Sequence, residues 1–209
     1  MSEDELKDGT NSIYNLFKRI FDIILSFIGI IFSSPLWIII SLLIVIDDGF
    51  PIFYLQKRIG KGGSVFNILK FRSMVKDAES YSGVVWAVEN DPRVTKVGRI
   101  LRATAMDELP QLINILMGDI SFVGPRSERP ELVKEFINMI PNFHIRHLIR
   151  PGLTGVAQVY GRYDTPPRNK LRYDLLYIKN MSFLLDLKLI ILSFWITFRG
   201  KWESREDKV

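Results

Sequence analysis

Asp107 and Glu108 stand side by side in a stretch rich in arginine, with Arg99 and Arg102 before them and Asp119, Arg126 and Arg150 after. Leu109, Leu112, Ile113 and Leu116 recur at helical spacing, and Pro110 is tolerated only in a first turn, so the two carboxylates open a helix. Orphan backbone N–H groups and the positive end of the helix dipole favour carboxylates and phosphate oxygens there alike. Acidic residues in a first turn are commonly plain caps, and the pair alone would read that way. The surrounding arginines change the reading. Guanidinium forks bind phosphate oxygens in pairs, and a neighbouring carboxylate can hold a magnesium ion that bridges to phosphate. An aspartate is also a competent nucleophile at phosphorus, giving an acyl phosphate. These residue types suit phosphoryl transfer.

The elements that must position them begin with an uncharged run of 24 residues, Ile23 to Ile46, long enough to cross a hydrocarbon core. Ser33, Ser34 and Pro35 sit in its middle, where proline removes an intrahelical hydrogen bond and favours a bend. Lys18 and Arg19 precede the run, and Lys57, Arg58, Lys61, Lys70 and Arg72 follow it, so the positive-inside tendency draws both flanks to the cytoplasm. An ordinary kinked span and a re-entrant helix that enters and leaves one leaflet are both open at this point. Residues 1–14 read as a flexible acidic tail, 15–46 as the membrane segment and 47–209 as the catalytic domain. Two β-prone runs, 51–56 and 64–71, flank Gly60, Lys61, Gly62 and Gly63 and read as a hairpin; the glycine-rich turn lacks the spacing of a Walker loop. Helix-like patterns follow at 96–103, 107–117, 129–140, 142–149 and 168–179, with a polar loop over 76–96. A second apolar stretch, Phe183 to Phe198, carries a Ser182 cap and Trp195, Phe198 and Trp202 beside Arg199, Lys201 and Arg205. It reads equally as an interfacial anchor and as a core helix. Together these predict a mainly α, α+β chain attached to a membrane through its N-terminal apolar segment.

The absence of cysteine excludes disulfides, thiolate metal clusters and cysteine nucleophiles. The net charge of +5 accumulates after the membrane segment and suits an anionic partner. The basic residues are dispersed and no nucleic-acid motif is present, so no nucleic-acid partner is expected. His144 and His147 lie three apart without an acidic residue to complete a metal site. Asp186 and Lys188 read as a solvated or headgroup-facing pair, and Tyr173 and Tyr177 as packing.

Several short motifs occur in a fixed order: Lys70-Phe71-Arg72-Ser73-Met74, Asp91-Pro92-Arg93, Thr95-Lys96-Val97-Gly98-Arg99, Asp107-Glu108-Leu109-Pro110-Gln111, Gly124-Pro125-Arg126 and Arg150-Pro151-Gly152-Leu153-Thr154-Gly155. Over about residues 15–190 the series resembles the bacterial sugar transferase family, the small monotopic phosphoglycosyl transferases. The resemblance implies a re-entrant helix broken at Ser34-Pro35, a UDP-sugar donor, polyprenol (undecaprenyl) phosphate as acceptor, and Mg2+. It implies that Asp107 attacks the phosphorus bonded to the sugar, releasing UMP, and that Asp107 also contacts the magnesium. Glu108 matches its partner carboxylate. Arg102 matches the first phosphate contact, Arg126 and Arg150 come next, and Lys70, Arg72 and Arg162 are further candidates. The implied setting is the cytoplasmic face of a bacterial plasma membrane, at the first membrane step of a glycan such as an exopolysaccharide, O-antigen or capsule. A homodimer and downstream glycosyltransferases are candidate partners. The sequence departs from the family pattern at Ala105-Met106, where Ser-Leu is usual, and at Ser127, where proline is usual. Two other readings use the same residues: a hydrolase with water as acceptor, and a non-catalytic membrane platform.

Overall fold

The computed structural model describes residues 12–78, 91–162, 164–199 and 202. Helix α1 (Ser12–Asp48) is long and apolar enough to cross a membrane, and most of its apolar surface is uncovered. It starts inside the stretch expected to be tail and ends two residues beyond Ile46. Pro35, at the expected break, lies inside this helix, and the chain is helical on both sides of it. Proline supplies no N–H for the carbonyl of Ile31, and the Ser34 hydroxyl takes that place, donating to Ile31 O at 2.8 Å. Ser33 Oγ donates to Gly29 O at 2.6 Å and accepts from Trp37 Nε1 at 2.9 Å. Ser34 thus satisfies the one carbonyl that Pro35 leaves without its helical donor.

The rest of the chain packs along α1 from end to end. Near its start, Lys18 Nζ, Tyr14 Oη and Tyr177 Oη all donate to the buried Asp186 carboxylate, at 2.5, 2.8 and 2.7 Å. Asp22 Oδ1 accepts from Ser121 Oγ and from the N–H of Phe122, both at 3.1 Å. At its far end, Asp47 Oδ2 accepts from the N–H of Val97 at 2.9 Å, and Asp48 pairs with the buried Arg72 at 3.1 Å. Ile40 and Ile44 pack there with Phe71 and Leu101. Both ends of α1 are therefore held by polar contacts to one body.

That body starts with an antiparallel hairpin, β1 (Phe53–Ile59) and β2 (Val65–Phe71), paired from Phe53 opposite Phe71 to Ile59 opposite Val65. Helix α2 (Lys96–Ala103) is capped by Thr95 Oγ1, which accepts from Gly98 N at 2.9 Å. A turn of 3-10 helix over Met106–Glu108 leads into α3 (Gln111–Met117), which lies against α1 through Leu112 and Gly29. A two-stranded parallel pair, β3 (Ser121–Val123) and β4 (Gly152–Thr154), is joined by α4 (Pro130–Met139) and a 3-10 segment, Phe143–Leu148. The parallel pair is invisible in the hydrophobic pattern because each strand is only three residues long. Short α5 (Val156–Tyr160), then α6 (Pro167–Lys179) and α7 (Phe183–Phe198), are the last described elements.

The core-helix reading of α7 holds for one of its faces. Leu189, Ile190 and Ile196 are buried in the main core, while Leu184, Ile191, Phe194, Trp195 and Phe198 project outward. Ser182 caps it as expected, accepting from Leu185 N. Asp186 is a correction: it is buried rather than solvated, because Lys18 and two tyrosines converge on it from α1 and α6. Most of the polar loop expected over 76–96 lies outside the described residues.

Candidate active site

Helix α2 can reach the hairpin only because residue 98 is glycine: a Cβ there would stand 2.0 Å from Ser73 O, just beyond β2. The helix ends three residues before Met106, and Ala105 adopts the left-handed conformation, φ +52. A non-glycine residue pays about 1–2 kcal/mol for that geometry, and it turns the chain so that Asp107 and Glu108 point inward. Both carboxylates are buried, at 7% and 4% exposure.

Cations from two other elements meet them. Lys70 Nζ, on β2, donates to Glu108 Oε1 at 2.7 Å and lies 3.6 Å from Asp107 Oδ2. Arg126, beyond β3, donates to the same Glu108 Oε1 at 2.8 Å. Burial favours the protonated acid, but Arg126 and Lys70 outweigh it and hold the Glu108 carboxyl well below the usual carboxylate range. Glu108 is thus an anion at neutral pH. Its second oxygen, Oε2, is buried and makes no hydrogen bond among the described residues.

Second-layer contacts fix these partners. The Asn114 side chain bridges α3 to β2, accepting from Leu69 N at 2.9 Å and donating to Asn67 O at 2.9 Å, which sets Lys70 next to the carboxylates. The Arg126 loop is pinned by Gly124 N to Thr154 O at 2.9 Å and by Gly152 N to Pro125 O at 2.8 Å. The fully buried Arg146 donates to Arg126 O at 2.8 Å and pairs with Asp174, also at 2.8 Å. Arg58 donates to Ser127 O at 2.9 Å. Glu128 lies within 4 Å of Lys170 and Arg146. Burial opposes its charge, yet Lys170, Arg146 and Arg58 keep its carboxyl low; Asp174, where burial outweighs Arg146, is pushed up to about 6. None of Asn114, Arg146, Asp174 or Glu128 was singled out from the sequence. The Arg-His pair before Arg150-Pro151-Gly152 was the only local signal for Arg146.

Of the residues expected in the site, Asp107, Glu108, Lys70 and Arg126 come together. Arg102, in the last turn of α2, has Ala105 N bonded to its carbonyl and faces Asp91, whose carboxyl is held low first by Arg93 and further by Arg102. Arg72 does not join the carboxylates: it caps the end of α1 through Asp48 O and Gly49 O at 2.8 and 2.7 Å. Arg150 donates to Gly118 O at 3.1 Å, beyond the C-terminus of α3, whose seven residues put it about 10 Å from the carboxylate end. Arg19 fills the neighbouring carbonyls of Ile115 and Leu116. Arg162 is exposed just before α6, and no described contact ties it to the carboxylates. Among the described residues no three His, Cys, Asp or Glu gather as a metal site. Burial pushes His147 down to about 4, which keeps it neutral.

Two buried carboxylates, Asp107 and Glu108, thus meet cations carried by two other parts of the chain. Residues 13–200 match the family described as bacterial sugar transferase, and the chain belongs to that family. It is 42% identical over 183 residues, 85% of this chain, to the UDP-N-acetylgalactosamine-undecaprenyl-phosphate N-acetylgalactosaminephosphotransferase of Aeromonas hydrophila. It is 40% identical over 196 residues, 91% of this chain, to the UDP-glucose:undecaprenyl-phosphate glucose-1-phosphate transferase of Klebsiella pneumoniae. The chain spans 43% and 42% of the length of these two relatives. The exopolysaccharide production protein PSS of Rhizobium leguminosarum bv. phaseoli is 40% identical over 181 residues, 83% of this chain and 90% of that protein.

Proposed function

We propose that this chain transfers a sugar 1-phosphate from a UDP-sugar to undecaprenyl phosphate, through a covalent intermediate on Asp107. The observation that carries the reading is the buried Asp107-Glu108 pair with Lys70 and Arg126 closing on it. Asp107 Oδ attacks the phosphorus bonded to the sugar. The bond from that phosphorus to the oxygen bridging the two phosphates breaks, and UMP departs with the electron pair. A phosphate oxygen of the lipid then attacks the same phosphorus, the acyl-phosphate bond breaks, and the carboxylate is restored as polyprenyl diphosphate sugar leaves. Lys70 and Arg126 offer positive charge to the phosphate oxygens on which charge builds in both steps. Glu108, ionised and doubly bonded through Oε1, orders those cations rather than moving a proton.

The unpartnered, buried Glu108 Oε2 beside the Asp107 carboxylate fits Mg2+, which takes one or two carboxylates and completes its shell with substrate phosphate and water. Asp107 and Glu108 would hold it, and when bound it supplies charge neutralisation at the diphosphate.

Membrane attachment through a re-entrant α1 is supported by the contacts at both of its ends. Lys18 and Asp22 near one end, and Asp47 and Asp48 at the other, are bound to the same body, so a simple span would drag that body through the bilayer. The uncovered apolar sides of α1 and α7 would then enter one leaflet, on the cytoplasmic face of the plasma membrane.

The test is UMP release from a panel of UDP-sugars, with and without undecaprenyl phosphate and magnesium. The transferase releases UMP in proportion to lipid, and Asp107→Asn abolishes it. With donor alone, intact-protein mass rises by one sugar phosphate in the wild type and not in Asp107→Asn. Continuous UMP and sugar-phosphate release without lipid would make the protein a hydrolase, and no release with any donor would leave a membrane platform.

A further inference from the structure

Gln111 begins α3, is 3% exposed, and its amide nitrogen is buried with no hydrogen-bond partner among the described residues. A buried donor left unpaired costs about 1–3 kcal/mol, and such groups are rare enough to need a reason. Its position supplies one. From Met106 to Met117 the chain is helical almost without interruption: Leu109 N bonds Met106 O, Leu112 N bonds Leu109 O, and Ile113 N bonds Pro110 O. On such a run, residues three, four and seven apart share a face. Asp107, Gln111 and Asn114 therefore form one row, with Glu108 three residues before Gln111. The ends of the row are tied to β2, Asp107 facing Lys70 and Asn114 bonded to Leu69 and Asn67. Gln111 lies between them, in the seam from which Lys70 reaches the carboxylates. Two buried polar atoms on residues one helical turn apart, Gln111 Nε2 and Glu108 Oε2, are thus both left without partners among the described residues.

We propose that Gln111 is a substrate-contacting residue whose carboxamide N–H donates to a non-bridging oxygen of the phosphate that is transferred. The assignment rests on the transfer reading above. It explains why a donor is kept unsatisfied next to two carboxylates: a phosphate oxygen is the acceptor the site lacks until substrate arrives. Unlike Lys70 and Arg126, which are engaged by Glu108, the amide is neutral and already uncommitted. It can follow the phosphorus from the diphosphate to Asp107 and on to the lipid without breaking a bond within the protein.

The decisive variant is Gln111→Met, close in length and shape but without the donor, in the full-length protein in nanodiscs. Removing an unsatisfied buried donor leaves the apo Tm unchanged or higher, while kcat/KM for UMP release falls by about a hundredfold, the loss typical of one donor to a developing charge. UDP, whose terminal phosphate stands where the transferred phosphorus sits, is the second probe: with magnesium present, the variant needs about tenfold more UDP than wild type for an equal thermal shift. A Tm several degrees lower, with wild-type kcat/KM and an unchanged UDP response, would overturn the assignment and make Gln111 a packing residue. If the Met variant does not fold, Gln111→Asn, which keeps the amide but withdraws it by one methylene, is read by the same two activities. A wild type that responds to UDP but never transfers to lipid defeats the transfer reading alone, and the UDP comparison still decides Gln111. A wild type blind to UDP defeats both.

Discussion

Lys70→Met tests whether the cation ring holds the site together as well as serving substrate. In the wild type Glu108 is 4% exposed and its Oε1 takes two charged donors, Lys70 at 2.7 Å and Arg126 at 2.8 Å. Removing one partner of a buried ion pair costs about 3–5 kcal/mol, because the other charge is stranded. Here Arg126 remains, with a third of its side chain exposed, and Lys70 itself keeps some solvent contact, so about 2–3 kcal/mol is the expected loss. For a chain of this length, 1 kcal/mol moves Tm by about 2–4 °C, which predicts a fall of roughly 4–12 °C. The loss depends on pH with a defined sign. The folded-state carboxyl of Glu108 is depressed, so its stabilisation is present above the ordinary glutamate pKa of about 4.5 and is lost as pH falls below it. The gap between wild type and Lys70→Met, measured by thermal unfolding in nanodiscs, is therefore full at pH 7 and narrows below about pH 4.5. Glu108→Gln in the Lys70→Met background recovers part of the loss, since no buried charge is then left. A Tm change under about 2 °C at pH 7, or a gap that does not respond to acid, would refute the buried-pair argument.

Four further outcomes follow from particular contacts. Gly98→Ala drives a methyl to 2.0 Å from Ser73 O, a backbone atom that cannot step aside, and is expected to cost 3 kcal/mol or roughly more, read as lost folded yield and activity together. Ser34→Ala deprives Ile31 O of its substitute donor and lowers Tm by the equivalent of about 1 kcal/mol, whereas Ser34→Thr, which keeps the hydroxyl, does not. Lys18→Met strands Asp186 and loosens the start of α1, seen as faster protease cleavage near residue 12; adding Asp186→Asn restores protection. Single cysteines at Thr10 and Lys61, in a chain with none of its own, are labelled by an impermeant reagent from the same side of the membrane; protection on opposite sides refutes a re-entrant α1.

Elements with a short-range signature were legible in the sequence. The apolar run, the hairpin on either side of Gly60 to Gly63, the Thr95-led helix, and the helices at 167–179 and 183–198 each follow from spacing and caps that neighbouring residues carry. So was the carboxylate pair, because Pro110 marks a helix start and fixes which residues precede it. The parallel β3–β4 pair was not, since three-residue strands separated by 28 residues leave no periodicity to read.

Partnership among the charges was decided only by the tertiary structure. Lys70 and Arg72 are two residues apart and equally basic, yet one reaches Glu108 and the other closes the end of α1. Arg126 and Arg150 each border a short glycine-proline motif, yet they end at opposite ends of α3. Asp186 looked like a solvated charge in an apolar stretch because Lys18, the cation that buries it, lies 168 residues earlier. Sequence determined where most of the chain is helical, where it is apolar, and which carboxylates precede α3, although they stand in a separate 3-10 turn and not in its first turn, because backbone sterics and hydrophobic period act between neighbours. Which cation meets which anion depends on long-range packing that sets distance and burial, and an ion pair acquires its strength only from those two quantities.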